Sequence, residues 1–350
     1  MFGRLDVNRL DVSRLDVDHL NVNRLGVNHL GNCQYFPEIC GTMLLTHCHY
    51  CVKRVLSKRK EEVMLNETYT LNNGIQIPKL ALGTWLIGDD AVADAVKSAI
   101  EIGYRHIDTA QAYDNERGVG EGVRTSGTSR EELFVVSKVA AEHKDYKSAA
   151  KSIDQTLSTM GLDYLNMMII HSPQPWAQVN QSDDRFFEGN IEAYRALEDA
   201  YTAGKLHSIG VSNFLEADLQ NILDNCTVKP AVNQVLAHVG NIPVSLMQFC
   251  QANDIQMEAY SPIAHGEANR IEGIDQMAEK YGVSVAQICI RYVIQLGMIA
   301  LPKTSNPERM RENASVDFVI STEDMEVLNA TTKLADYGES SFFPVYGGKL

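Results

Sequence analysis

From residue 79 onward the sequence alternates eight times between a short apolar run and a longer stretch of helical periodicity. That alternation is the sign of parallel strands joined by helical crossovers. The strand candidates are Lys79–Gly83, His106–Asp108, Leu133–Lys138, Tyr164–Ile170, Leu206–Ser212, Ala231–Gln234, Gln256–Tyr260 and Met298–Leu301. Helices are expected at about 89–102, 115–125, 146–160, 190–203, 216–225, 243–253, 271–295 in two pieces, and 307–314. Pro307 suits the first turn of the last one, where its missing N–H does no harm. A doubly wound dinucleotide-binding sheet also alternates, but it needs Gly-x-Gly-x-x-Gly after its first strand. The nearest approach, Gly118-Val-Gly-Glu-Gly122, breaks that spacing and falls inside a helix. Tyr201 and Lys205 mimic the Tyr-x-x-x-Lys pair of short-chain dehydrogenases. Gly204 between them reads as a helix C-cap, which takes the two off a common face.

Ionisable residues stand where these apolar runs end. Gly103-Tyr-Arg-His-Ile-Asp-Thr-Ala-Gln-Ala-Tyr113 sets an acid and a phenol five residues apart, as strand gives way to loop. Phe134-Val-Val-Ser-Lys138 and Met168-Ile-Ile-His171 each close on one ionisable side chain. A parallel sheet aims Asp108, Tyr113, Lys138 and His171 at one rim. A phenol's pKa near ~10 is high for proton exchange at neutrality. A neighbouring ammonium favours the phenolate and is expected to lower that value by roughly 1–3 units. A carboxylate keeps the lysine charged and in place, and a histidine orients a substrate oxygen by hydrogen bonding. Such a set suits protonation of a carbonyl oxygen while hydride reaches the carbon.

The stretch Gly-Tyr-Arg-His-Ile-Asp-Thr-Ala-x5-Glu-x2-Val-Gly, ending at Gly120, resembles the first signature of the aldo-keto reductase family. Leu301-Pro-Lys-Thr-Ser-Asn-Pro-Glu-Arg-Met-Arg-Glu-Asn313 resembles the third. His171, Gly210-Val-Ser-Asn-Phe214, Val232-Asn-Gln234 and Glu258-Ala-Tyr-Ser-Pro262 lie between them in family order. The resemblance covers about residues 67–350. It implies a (β/α)8 TIM barrel that reduces aldehydes or ketones with NADPH, using Tyr113, Asp108, Lys138 and His171 as a catalytic tetrad. Asn73-Gly74 between Tyr69-Thr-Leu and Ile75-Gln-Ile signals a hairpin, which in such barrels closes the bottom. Lys303, Thr304, Ser305 and Arg309 cluster cations and donors at the start of the last helix, where phosphate is attracted. By resemblance they grip the adenosine 2′-phosphate, while Glu312 and Asn313 face adenine. Tyr260, followed by Ser261, lies under the nicotinamide; Ser212, Asn213 and Gln234 bond its carboxamide; Thr84 joins the cofactor set.

Trp85 is expected to wall the substrate pocket. Three positions depart from the family: Ser172 follows the histidine where Trp is usual, Asn166 stands where Asp is frequent, and Tyr194 where Trp is common. Trp176 either replaces the lost wall or the pocket at Ser172 is wider. The short tail past Lys333 resembles the compact microbial reductases of diketo-gluconate and methylglyoxal. The expected substrates are aldehydes, α-dicarbonyls, and keto-sugars or keto-esters. A cofactor-sensing barrel of the channel-subunit type, built to bind a partner, is the rival reading, and an exposed apolar patch without turnover would mark it.

The first 63 residues are different in kind. Residues 4–30 repeat Arg-Leu-Asp-Val-Asn with a period of five, which fits neither helix nor strand, and so read as a solvated low-complexity tail. Cys48-x2-Cys51 supplies two tetrahedral ligands, but Cys33-x6-Cys40 makes no second tight pair, so no metal site is expected. Met64 begins where family members begin. The expected division is therefore a dispensable extension over 1–63 and a catalytic barrel over 64–350. A formal net charge of −14 excludes nucleic acid and anionic membrane as natural partners. No apolar run reaches the ~20 residues of a membrane span, and the start lacks a signal-peptide core. Seven cysteines, an odd count, fit free thiols in a reducing cytoplasm. A cytoplasmic monomer acting on a small carbonyl compound is expected.

Overall fold

The computed structural model describes residues 64–346. The expectations for residues 1–63, including the repeat and the cysteine cluster, lie outside the described residues. Eight strands, β3 to β10, form one parallel sheet in chain order: Leu82–Gly83, His106–Asp108, Phe134–Val139, Met167–Ile170, Ile209–Ser212, Val232–Leu236, Gln256–Tyr260 and Ile299–Leu301. Parallel bridges Leu80–Ala300 and Gly83–Lys303 join the first of these to the last, so the sheet closes into a (β/α)8 barrel. Strands β5, β6 and β7 are wholly buried and mostly apolar, as a sheet covered on both faces requires.

The crossovers are α1 (Asp89–Ile102), α2 (Glu116–Arg124), α3 (Tyr146–Met160), α4 (Phe187–Thr202), α5 (Glu216–Asn225), α6 (Val244–Ala252), α7 (Ile274–Tyr281), α8 (Val285–Gln295) and α9 (Pro307–Ala314). Four of them, α1, α3, α5 and α9, match the expected bounds without change. A tenth helix, Thr322–Asn329, was not expected from the sequence, although Ser321 caps it through Asp324 N. The expected strand over 164–170 is shorter, because Leu165 makes only a single bridge to Leu206.

The hairpin strands β1 (Thr68–Thr70) and β2 (Gln76–Pro78) pair antiparallel. The turn is one residue longer than a two-residue Asn-Gly turn: Leu71 N bonds Ile75 O at 2.9 Å, with Gly74 left-handed at φ 84°. Leu71 and Ile77 join the inner core with Val136, Ile169, Val232 and Ile299, so the hairpin does close the barrel bottom. Asn72 and Asn73 fasten its tip by donating to Pro230 O and His207 O.

The Gly118-Val-Gly-Glu-Gly122 stretch has a packing role in α2. A Cβ on Gly120 would run into the Met160 carbonyl, and one on Gly118 into the Asp89 carbonyl. These glycines let α2 lie directly against its neighbours, which sets the helix that follows Tyr113. Gly120→Ala is expected to lower unfolding stability by on the order of 3 kcal/mol, read from chemical denaturation. An unchanged denaturation midpoint would contradict that close approach.

Candidate active site

Strand ends and the loops after them meet around a cleft of about 610 Å³. Asp108 ends β4, Tyr113 lies in the 3₁₀ turn that follows, Lys138 comes from β5, and His171 follows β6. Lys138 is fully buried, and its Nζ donates to Asp108 Oδ1 at 2.6 Å, Thr109 O at 2.9 Å and Tyr113 Oη at 3.3 Å. All three donor positions of the ammonium are thus used within hydrogen-bond reach. The phenol, ammonium and carboxylate form one chain leading from the cleft into the barrel.

The electrostatics of Tyr113 correct the sequence reading. Burial pushes the phenol above its ordinary value, and the opposing pull of Lys138 does not overcome it. Tyr113 is therefore held as the protonated acid. Burial works against the Lys138 ammonium, but Asp108 and Tyr113 more than offset it and hold the group above the ordinary lysine range. His171 is held well below the ordinary range, by burial first and then by Lys138, so its ring is neutral. The ring packs edge-on against Tyr113 at 5.6 Å and Trp176 at 4.9 Å.

Beside this chain stand Ser212, Asn213, Gln234 and Tyr260. Asn213 has a left-handed backbone, φ 62°, and its amide donates to His171 O while its carbonyl accepts from Tyr260 Oη at 2.8 Å. Asn213 is no helix cap, since α5 starts three residues later. Ser212 Oγ donates to Gln234 O, and Gln234 Nε2 donates to both Asp108 Oδ2 at 3.0 Å and Glu258 Oε2 at 2.8 Å. Thr84 also lines the cleft, its hydroxyl donating to Asp108 O.

At the far end of the cleft lie Lys303, Thr304, Arg309, Glu312 and Asn313. Lys303 and Arg309 have no carboxylate partner among the described residues. The start of α9 is already capped: Asn306 Oδ1 accepts from Glu308 N and Arg309 N, and Thr304 Oγ1 accepts from Asn306 N. An anion here would thus rely on the side chains of Lys303 and Arg309 more than on the helix amides. Ser305 is exposed and does not line the cleft, a second departure from expectation.

Trp85 and Trp176 both wall the cleft, while Ser172 does not. Ser172 is buried beneath the loop, its Oγ accepting from Gln174 N and its carbonyl from Lys144 Nζ at 2.8 Å. Trp176, four residues beyond Ser172, is the tryptophan that packs on the His171 ring at the cleft wall. Asn166 and Tyr194 lie away from the cleft, holding Arg130 and the Val228 carbonyl respectively.

Three features were missed by sequence reasoning. The tail brings Phe343 against Trp85 and Trp176, at 5.4 and 5.1 Å between ring centres. Tyr346 Oη reaches Ser261 Oγ at 3.0 Å and His265 Nε2 at 2.5 Å, which ties the tail to the loop after β9. Burial lowers Lys144 to about 7, and it clamps Ser172 together with Asn190. The third is Glu258, fully buried beside Asp108. Its position two residues before Tyr260 on one strand was the available signal, because alternate residues share a face.

Residues 79–333 match the model of the aldo/keto reductase family. The glyoxal reductase of Bacillus subtilis is 39% identical over 272 residues, 77% of this chain and 94% of that protein. Among solved structures, an aldo/keto reductase from Brucella melitensis superposes with a TM-score of 0.70 at 37% identity, covering 76% of this chain and 98% of that one. A Bombyx mori aldo-keto reductase solved in complex with NADP superposes with a TM-score of 0.70 at 31% identity, covering 81% of this chain and 99% of the other.

Proposed function

The chain belongs to the aldo/keto reductase family of NADP-dependent oxidoreductases, and we propose that it reduces small aldehydes and ketones to alcohols, with Tyr113 as proton donor. The observation that carries this reading is the buried chain Tyr113–Lys138–Asp108 opening onto a cleft beside neutral His171. The cleft suits NADPH on its own chemistry. Two unpaired cations at one end suit phosphate, and a tyrosine ring with amide and hydroxyl groups at the other suits a flat amide-bearing ring. NADPH held there would supply hydride to the carbonyl carbon.

The protein side chains do the rest. His171 donates a hydrogen bond to the carbonyl oxygen and holds it near Tyr113. The phenol releases its proton to that oxygen, and Lys138 stabilises the phenolate left behind. Asp108 keeps Lys138 charged and aimed. Trp85, Trp176 and Phe343 exclude water and favour compact substrates. Small dicarbonyls and aldehydes fit this enclosure, and the name of the Bacillus subtilis relative points to the same class. The barrel beginning at Met64 is the whole catalytic unit in this reading.

Arg309→Ala is expected to raise the Kd for NADPH by roughly tenfold or more, the scale of a lost charged hydrogen bond. The Kd for NADH should hardly move, as measured by quenching of Trp85 and Trp176 fluorescence. Equal losses for both cofactors would remove Arg309 from the 2′-phosphate site.

A further inference from the structure

Two carboxyls lie close together inside the barrel, and only one has a cation. Asp108 faces Lys138 at 2.6 Å. Glu258, on β9 and wholly buried, shares a single donor with Asp108, the Gln234 amide, and its Oε1 has no partner among the described residues. A carboxylate with one donor and one bare oxygen is costly in such surroundings, whereas the neutral acid is not. Burial and Asp108 push the Glu258 carboxyl up to about 8, against the opposing effects of the Gln234 bond and Lys138. Among the described residues, the interior also holds the titratable side chains of His106 on β4, Tyr113 after it, His171 after β6 and Tyr260 on β9. Burial holds each of them uncharged at neutrality. Glu258 is thus placed to change charge just above neutral pH.

We propose that Glu258 is a positioning residue that couples the charge of the barrel interior to the redox state of the cofactor through Gln234. The inference rests on the reading that the nicotinamide end of the cofactor meets Ser212, Asn213 and Gln234. With Glu258 neutral, Asp108 and Lys138 cancel and the interior is uncharged. Loss of the Glu258 proton leaves one negative charge beneath Gln234. The oxidised nicotinamide ring is cationic and the reduced ring is not, so the carboxylate favours NADP⁺. By reciprocity, NADP⁺ binding draws the proton off Glu258. Alkaline conditions then bias the protein toward alcohol oxidation, and acidic conditions toward carbonyl reduction.

The test compares dissociation constants of NADP⁺ and NADPH for the full chain and for Glu258→Gln, from tryptophan quenching between about pH 6.5 and 9.5. The 2′-phosphate is common to both cofactors and drops out of their ratio. For the wild type, the ratio Kd(NADP⁺)/Kd(NADPH) should fall roughly tenfold as pH rises across this range, and for Glu258→Gln it should stay flat. Calorimetry of NADP⁺ binding near pH 8, in two buffers of different ionisation enthalpy, should show net proton release by the wild type; this arm needs no variant. A ratio that is flat in the wild type, or that slopes equally in both proteins, overturns the role of Glu258, as does NADP⁺ binding without proton release. Failure of the wild type to bind either cofactor overturns the reading of the cleft itself, and the proposal with it.

Discussion

Tyr113→Phe should lower carbonyl reduction by about three orders of magnitude, within the range seen when a positioned acid is removed. The Kd for NADPH should stay within roughly twofold, because the substitution deletes one oxygen and keeps the ring. The phenylalanine ring can still pack edge-on against His171, so the wall of the cleft is kept. Lys138 loses its 3.3 Å partner but retains Asp108 and Thr109. The fall therefore belongs to the proton, and it appears in kcat. Since burial keeps the phenol protonated, Tyr113 should impose no alkaline limb on reduction below about pH 10. Retained turnover in Tyr113→Phe would place the acid elsewhere, with His171 the nearest candidate.

Lys138→Met should both abolish activity and cost about 3–5 kcal/mol of unfolding stability, since it strands a buried carboxylate. Lys138 is 0% exposed and Asp108 4% exposed, so water cannot take over the lost partner. Stability and chemistry can be separated by removing both charges. Asp108→Asn with Lys138→Met leaves no unpaired ion and should recover much of the lost stability, as measured by denaturant midpoint. Activity should not return, because nothing is left to stabilise the Tyr113 phenolate. A double variant as active as the wild type would show that the pair only supports the fold. One as unstable as Lys138→Met would show that the loss arises from packing rather than from charge.

The barrel was legible because its signal is local and repeated. His106–Asp108 and Gln256–Tyr260 are short strands with a turn or helix on either side, and their bounds needed no correction. The site residues were legible for a related reason: a parallel barrel brings strand ends together, so ionisable groups closing apolar runs converge. What escaped depends on contacts distant in the chain. Phe343 and Tyr346 sit in a tail without periodicity, and only their packing on Trp85 and Ser261 gives them a place. Ser172 follows His171 directly, yet the loop turns its side chain away from the cleft and toward Gln174. The sign of the Tyr113 shift escaped as well. The convergence of strand ends suggests the pull of Lys138, while burial, which only the folded chain defines, outweighs it. Glu258 was hidden by the apolar run around it, where a single buried acid reads as an interruption.

NADPH consumption over a panel of small carbonyls shows whether this tetrad turns a bound NADPH into carbonyl reduction. Glyoxal, methylglyoxal, a keto-sugar and an aromatic aldehyde would be presented to chains begun at Met1 and at Met64. Both chains should consume NADPH and form alcohol in equal amounts, at similar rates. NADPH bound tightly but not consumed with any of these carbonyls would contradict that role and leave a barrel that senses its cofactor without using it.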